Sequence, residues 1–473
     1  MTERLPQLVL VAAAALLLPL LIFTAYSHPF YFSNATLLGG VIALEVLFVA
    51  VWSYRQSFFA LILLAFLFAG MDLPLGGIWT MARWFFLIIG AIVGFLIMLK
   101  EGHGRFRLFH AVSILAVSSA LISAVVSRYP SFALLKALSL LLLFVYAGTG
   151  ARLAAAGREN RFLAGLLTGC EILTVALGGL YFLGTDAMGN PNSLGAVMAV
   201  LAPLLLWGTL IDPRHHVHYR RLAIYLLSMY LLFHSHSRAG LAAGLCSCAL
   251  LCLALRKYKL FAQGVVIFVI LVTSAAIFDP EAFSATISSL TTSVVYKDRD
   301  ITGGVFASRT TPWQHAMDTI HQHFWFGTGF GTTDNGQDAN AHLGKFSSSA
   351  EATSENGSSY LTILSWVGMT GIVPFCLVLL FLIGKVIRTT LWMFNTGSPF
   401  HPAVPIAMVI VSGLLHAAFE DWLFAPGYYV CVFFWSLAFI LIDVAPWAPL
   451  PSFASSWRPW LMRQRMSSVA PSR

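Results

Sequence analysis

The sequence predicts an all-α fold, a polytopic transmembrane helix bundle of about 12–14 helices with one large external loop that itself contains an amphipathic helix. Three observations lead there. The chain is 58% hydrophobic and only 10% charged over 473 residues, with a mean hydropathy of +0.80, well outside the range of a soluble domain. Its apolar runs are continuous, whereas the strands of a membrane barrel would alternate. Finally, residues 279–356 form the one long polar stretch between such runs.

The spans fall near residues 7–25, 36–53, 57–71, 79–99, 108–126, 132–149, 161–184, 193–210, 221–233, 239–256, 260–278, 359–387, 402–418 and 424–443. A hydrocarbon core of ~30 Å needs roughly 20 helical residues, so the runs at 57–71 and 221–233 read as half-helices or re-entrant pieces. The first run is long for a signal peptide and lacks a clear small-residue cleavage site, so it reads as a retained anchor.

Lysine and arginine alternate between loops with a constant phase. Arg4, Arg55, Lys100, Arg105, Arg107, Arg152, Arg158, Arg161, Arg214, Arg220, Arg221, Arg256, Lys257, Lys259, Lys385, Arg388 and the tail arginines Arg458, Arg463, Arg465 and Arg473 share one side. That side is cytoplasmic by the positive-inside rule, which puts both termini inside and the long loop outside. The formal net charge of +8 is therefore topological. It is spread over many loops, while residues 279–356 hold nine acids against four bases, a pattern that argues against a nucleic-acid partner. The six cysteines all lie inside apolar runs, with neither a disulfide framework nor zinc spacing.

Within the external loop, TTPWQHAMDTIHQHFWFG offers Thr310 as a cap, Pro312 in the first turn, and Trp313, Met317, Ile320 and Phe324 at helical spacing. This is the amphipathic helix. GTGFG follows, then a Ser-rich stretch ending at the next span. No strand precedes GTGFG and no helix with Lys-Ser/Thr follows it, so it reads as a turn and not as a nucleotide loop. His315, His321 and His323 share the region without an HExxH pattern, and no metal site is predicted.

Four ionisable residues lie within spans. Glu45 and Glu171 are near mid-span, and Arg83 and Lys136 about a turn below the outer surface, depths at which ionisable groups are paired or face polar cavities. For Glu45 and Lys136 the simplest reading is structural ion pairing. Arg238, in HSHSRAG, opens a span at the outer boundary, where arginine often snorkels to headgroups. Arg309 precedes the amphipathic helix and reads equally as a solvated loop charge. Two external arginines at one membrane surface also suit a pyrophosphate, because guanidinium forks bind phosphate oxygens in bidentate fashion. Glu420 and Asp421, in HAAFEDWLFAPG, close the last external turn, to meet Arg238 or to line a site.

The order of GNPNSLG at 189–195, SRAG at 237–240, SRTTPWQHAMDTIHQHFWFGTGFG at 308–331 and SSYLTILSWVGMTG at 358–371 resembles the O-antigen ligase and polymerase superfamily. These are membrane glycosyltransferases that take saccharides from an undecaprenyl pyrophosphate carrier at the periplasmic face of the bacterial inner membrane. The resemblance covers roughly residues 185–443. It implies N-terminal membrane helices over 1–184, a working region over 185–443 with the periplasmic loop at 279–356, and a cytoplasmic tail over 444–473. It also implies an inverting, metal-independent transfer with no cofactor, in which Arg238 and Arg309 hold the pyrophosphate. Its His-Asn pair, whose histidine assists the acceptor hydroxyl, would fall on Gly357 and Ser358 and is missing. Glu355 is the nearest substitute base, with His342 and His323 as rivals and Glu420 and Tyr360 in support. The expected reaction is polymerisation of exopolysaccharide or O-antigen repeat units; ligation to lipid A core, or a flippase for lipid-linked saccharides, are the alternatives. Expected partners are the lipid-linked oligosaccharide, membrane lipid, and assembly proteins such as a flippase or chain-length regulator.

Overall fold

A computed structural model describes residues 58–72, 76–101, 106–185, 188–211, 215–259, 261–264, 307–332 and 357–446, besides isolated positions. The spans expected at 7–25, 36–53 and 260–278, together with Glu45, His342 and Glu355, lie outside the described residues or almost wholly so. Among the described residues there are helices and turns but no strand.

The helices are α1 (Phe59–Ala69), α2 (Gly76–Glu101), α3 (Leu108–Val125), α4 (Pro130–Tyr146), α5 (Arg152–Ala155), α6 (Glu159–Phe182), α7 (Pro191–Ile211), α8 (His215–His234), α9 (Arg238–Ala254), α10 (Ala307–Gln322), α11 (Ser359–Thr396), α12 (Ala403–Ala417) and α13 (Tyr429–Val444). A π-helical turn, Ala147–Ala151, joins α4 to α5. Six helical stretches among the described residues are long and apolar enough to cross a membrane. α4, the π-helical turn and α5 form one continuous stretch, Pro130–Ala155; the bundle has a loop end, where α9 and α11 start, and a basic end, where α2 and α9 stop.

At the centre stands α7, whose residues Gly195–Thr209 are all buried. A helix apolar on every side requires neighbours on every side, and α7 packs against α8, α9 and α12. α13 is buried nearly throughout as well. The outer helices behave oppositely. Ile88, Ile92, Phe95, Leu96 and Leu99 of α2 and Ile114, Leu115, Ile122 and Val125 of α3 are exposed, a surface that water would penalise and lipid does not.

Two expectations are corrected. The run at 221–233 is no half-helix: α8 covers 20 residues, about 30 Å, because its first turns are polar and escape a hydropathy reading. Their arginines are used inside the bundle. Arg220 and Arg221 donate to the Glu171 carboxylate at 3.1 and 3.0 Å, which pairs the mid-span acid as such depth demands. The amphipathic helix begins at Ala307, three residues before the expected Thr310 cap, with Pro312 inside it. Its buried face is Ala316, Thr319 and Ile320 with half-buried Trp313, whereas Met317 and Phe324 are exposed.

The Gly-rich turn after α10 enters the bundle. α11 is interrupted at Gly368 (φ 63°, ψ −174°), and the open backbone groups pair with residues 324–329. Thr328 and Gly329 donate to the carbonyls of Ser365 and Trp366 at 3.0 and 3.1 Å, and Met369 and Thr370 donate to those of Phe324 and Trp325 at 2.9 and 3.1 Å. Such a break at membrane depth is tolerable only where protein satisfies the freed groups. The approach requires glycine on both sides. A Cβ on Gly327 would strike the Trp366 carbonyl, and one on Gly368 the Trp325 carbonyl. Ser123 of α3 donates to the Trp366 carbonyl at 2.6 Å, Ser127 to the Thr328 carbonyl at 2.7 Å, and Lys136 to the Gly331 carbonyl at 2.7 Å. Arg83 likewise anchors a turn, donating to the Gly427 carbonyl at 2.7 Å. The cysteines are all free, as expected of helix filler.

Candidate functional site

The loop end gathers five separated segments. At α9, Ser237 caps the helix by accepting the Gly240 N–H at 3.2 Å, and Arg238 is the first helical residue, half-buried. A guanidinium at the positive end of a helix dipole costs stability unless an anion approaches, so the local field favours one. The start of α7 packs against this cap. The Asn190 side chain accepts the Asn192 N–H at 2.8 Å, and Gly195 lies so close to Ser235 and Ser237 that a side chain there would collide with both. Tyr429 adds a link by donating to the Ser193 carbonyl at 3.2 Å.

Arg309 lies in the first turn of α10 and forms an ion pair with Glu420. Both side chains are largely buried, at 16% and 21% exposure, so solvent screens the pair only partly. One turn on, Trp313 donates to the Gly357 carbonyl at 3.1 Å and stacks on Phe419 with centroids 6.5 Å apart. The start of α11 is tied to the same turn. Ser359 donates its N–H and hydroxyl to the Glu420 carbonyl at 3.1 and 2.6 Å, and its hydroxyl accepts the Leu423 N–H at 3.0 Å. Residues 307–313, 357–360 and 419–423 therefore form one hydrogen-bonded unit.

Arg238 and Arg309 are near enough for their like charges to oppose one another. The field of Arg309 also reaches His416, and that of Glu420 reaches Tyr428. Two guanidiniums and one carboxylate from separate chain segments thus share the loop end of the bundle.

Of the residues expected at the site, Arg238, Arg309 and Glu420 come together, Glu420 meeting Arg309. Tyr360 packs beside them, but its hydroxyl is engaged with the Leu414 carbonyl at 2.8 Å, a structural use. His323 does not join. It is exposed, in the turn at the far end of α10, roughly 20 Å along the helix from Arg309. Trp313, Ser359 and His416 contribute more than the sequence reading allowed. Buried His416 accepts the Trp422 indole N–H at 2.7 Å and so fixes the turn that carries Glu420. The HAAFEDW spacing, a histidine six residues before a tryptophan on a turn, was the available signal.

No curated protein matches the chain. Residues 223–376 match the family model described as Wzy_C, O-antigen ligase, a stretch that includes Arg238, Arg309 and the Gly368 break. Over that third of the chain, set within a bundle of apolar helices, the protein is similar to the O-antigen ligase and polymerase superfamily.

Proposed function

We propose that the chain transfers saccharide at the periplasmic face from an undecaprenyl-pyrophosphate donor to an acceptor sugar hydroxyl, polymerising exopolysaccharide or O-antigen repeat units. The working region is 185–443, and both termini are cytoplasmic. The observation that carries this reading is the convergence of Arg238 and Arg309, from helices well separated in sequence, at the loop end of the bundle. In the proposed reaction the acceptor oxygen attacks the anomeric carbon, the bond to the pyrophosphate oxygen breaks, and the carrier keeps the pyrophosphate. Charge grows on that leaving group, so fixed guanidiniums stabilise the transition state more than the ground state. The acceptor proton passes to Glu355, with His342 as the rival base. His323 is disfavoured by its distance from Arg309. The donor's own activated bond supplies the driving force, and the reaction as written uses no metal or cofactor.

Two other readings have a specific observation each. The description of the matching family favours a ligase acting on lipid A core. The interrupted α11 favours a transporter of lipid-linked saccharides, since transporters place substrate sites at broken helices. Against the latter, the groups freed at Gly368 are taken up by residues 324–329. Reconstitution with purified lipid-linked repeat units and lipid A core as a competing acceptor separates the three. Polymer supports the proposal, a lipid A conjugate selects the ligase, and unmodified donor on the opposite leaflet contradicts both.

A further inference from the structure

Just past α10, the consecutive residues Phe324, Trp325 and Phe326 leave their rings exposed, at 42%, 64% and 48%. Their carbonyls are treated in the opposite way, each being held by protein. The Met369 N–H donates to that of Phe324 at 2.9 Å. Thr370 gives its N–H at 3.1 Å and its hydroxyl at 2.6 Å to that of Trp325, and the Ser123 hydroxyl donates to that of Phe326 at 2.9 Å. Water would satisfy such carbonyls unaided and would penalise three adjacent exposed rings. Hydrocarbon reverses both preferences, since every backbone group there needs a protein partner and apolar side chains lose nothing by facing lipid. The same bonds fix the depth. Ser123 stands about 22 Å along α3 from Leu108, next to the basic-end residue Arg107. In a hydrocarbon core of ~30 Å the rings therefore lie inside the leaflet at the loop end, roughly 8 Å from its face. The flanking surfaces agree: Ile122, Val125 and Val126 of α3 and Met369 and Val373 of α11 are exposed and apolar. Residues 319–333 contain no Asp, Glu, Lys or Arg. At its other end α10 is tied to the loop end, where Trp313 donates to the Gly357 carbonyl. It therefore descends beside about three turns of α11, from Gly357 to Met369.

We propose that Phe324, Trp325 and Phe326 form a lipid-contact site, which seats the C-terminal end of α10 among the phospholipid acyl chains of the leaflet at the loop end. Acyl chains fit because the patch is uncharged and continues the exposed apolar surfaces of α3 and α11. Its carbonyls are already bonded within the chain, so a polypeptide partner would find no backbone acceptor there. α10 is then held at both ends, by the bilayer at the rings and by the Arg309–Glu420 pair at its first turn. Such a helix crosses the membrane surface and keeps Arg309, roughly 20 Å along it from the rings, at the level of the headgroups.

The test uses the unmodified full chain in phosphatidylcholine nanodiscs that contain phosphatidylcholine with a diazirine on its acyl chain, illuminated and mapped by peptide mass spectrometry. Adducts on residues 324–326 should match in yield those on Val373 and Ile122, and should exceed those on Gln314, an exposed residue of α10 nearer Arg309. A yield on residues 324–326 no higher than on Gln314 would overturn the assignment. Trp325 supplies a second measurement, since its own emission is the difference between the wild-type chain and Trp325→Phe, a conservative change at an exposed position. Phosphatidylcholine brominated on its acyl chains should quench that emission, and aqueous acrylamide should leave it. Quenching by acrylamide alone, or protection from both reagents as a second copy or another protein would give, would contradict the proposal. Neither readout involves saccharide transfer, so the result stands apart from the reaction proposed above.

Discussion

Arg309 and Glu420, 111 residues apart in sequence, form an ion pair that joins the first turn of α10 to the turn between α12 and α13. In the reaction proposed above, Glu420 offers Arg309 the carboxylate equivalent of a phosphate edge, and the donor's pyrophosphate, with Arg238 as its second partner, would take that place.

Glu420→Gln removes the charge and keeps the shape. It should lower stability by about 2 kcal/mol, the scale of a charge-assisted hydrogen bond, and raise hydrogen exchange at Trp313 and Ser359, whose contacts depend on the same turn. Unchanged exchange at both positions would show that the ion pair does not hold the three segments together.

Arg238→Ala and Arg309→Ala should abolish chain extension, so that single repeat units accumulate on the carrier. Arg309→Ala also breaks the pair with Glu420 and should lose stability as Glu420→Gln does, so the two variants are compared at equal membrane abundance. Arg309→Lys should recover only part of the activity, because an ammonium keeps the charge and loses the bidentate fork. Carrier-linked saccharides extracted from cells expressing each variant at equal level provide the measurement.

Gly368→Ala should behave in the opposite way. Its positive φ and the Trp325 carbonyl leave no room for a methyl group, so the interlock between α11 and residues 324–329 opens at a cost of about 2–3 kcal/mol. Thermal unfolding in detergent should fall, and activity should decline in proportion to folded protein. A variant of normal stability would mean that the break in α11 is not held by that interlock.

Composition and the phase of Lys and Arg made the bundle legible, because both follow from the bilayer as solvent. The opening of a helix at Arg238 was legible as well, since SRAG marks the boundary of an apolar run. The start of α8 was missed because His215–Arg221 is polar, although Glu171 inside α6 requires those arginines. The apolar spacing of Trp313, Met317 and Ile320 marked α10 as a helix but not which of them the bundle covers, Ile320 being buried and Met317 exposed. The interlock at Gly368 has no periodic signature at all. It is backbone pairing across 45 residues, as between Met369 or Thr370 and the carbonyls of Phe324 and Trp325, and only the glycines at both partners hint at it.

Glu355→Gln tests the proposed base. It should preserve donor binding and stop transfer, since an amide cannot take the acceptor proton. Full activity would return the role to His342, and His342→Ala would then be the inactive variant.

The most direct test of the central claim is single-turnover transfer in proteoliposomes with purified undecaprenyl-pyrophosphate repeat units, comparing the wild-type chain with Arg238→Ala and Arg309→Ala. The account predicts lengthened, carrier-linked saccharide from the wild type and at least a hundredfold less, about 2.7 kcal/mol of lost transition-state stabilisation, from either variant. Equal product from the wild type and the variants would contradict it.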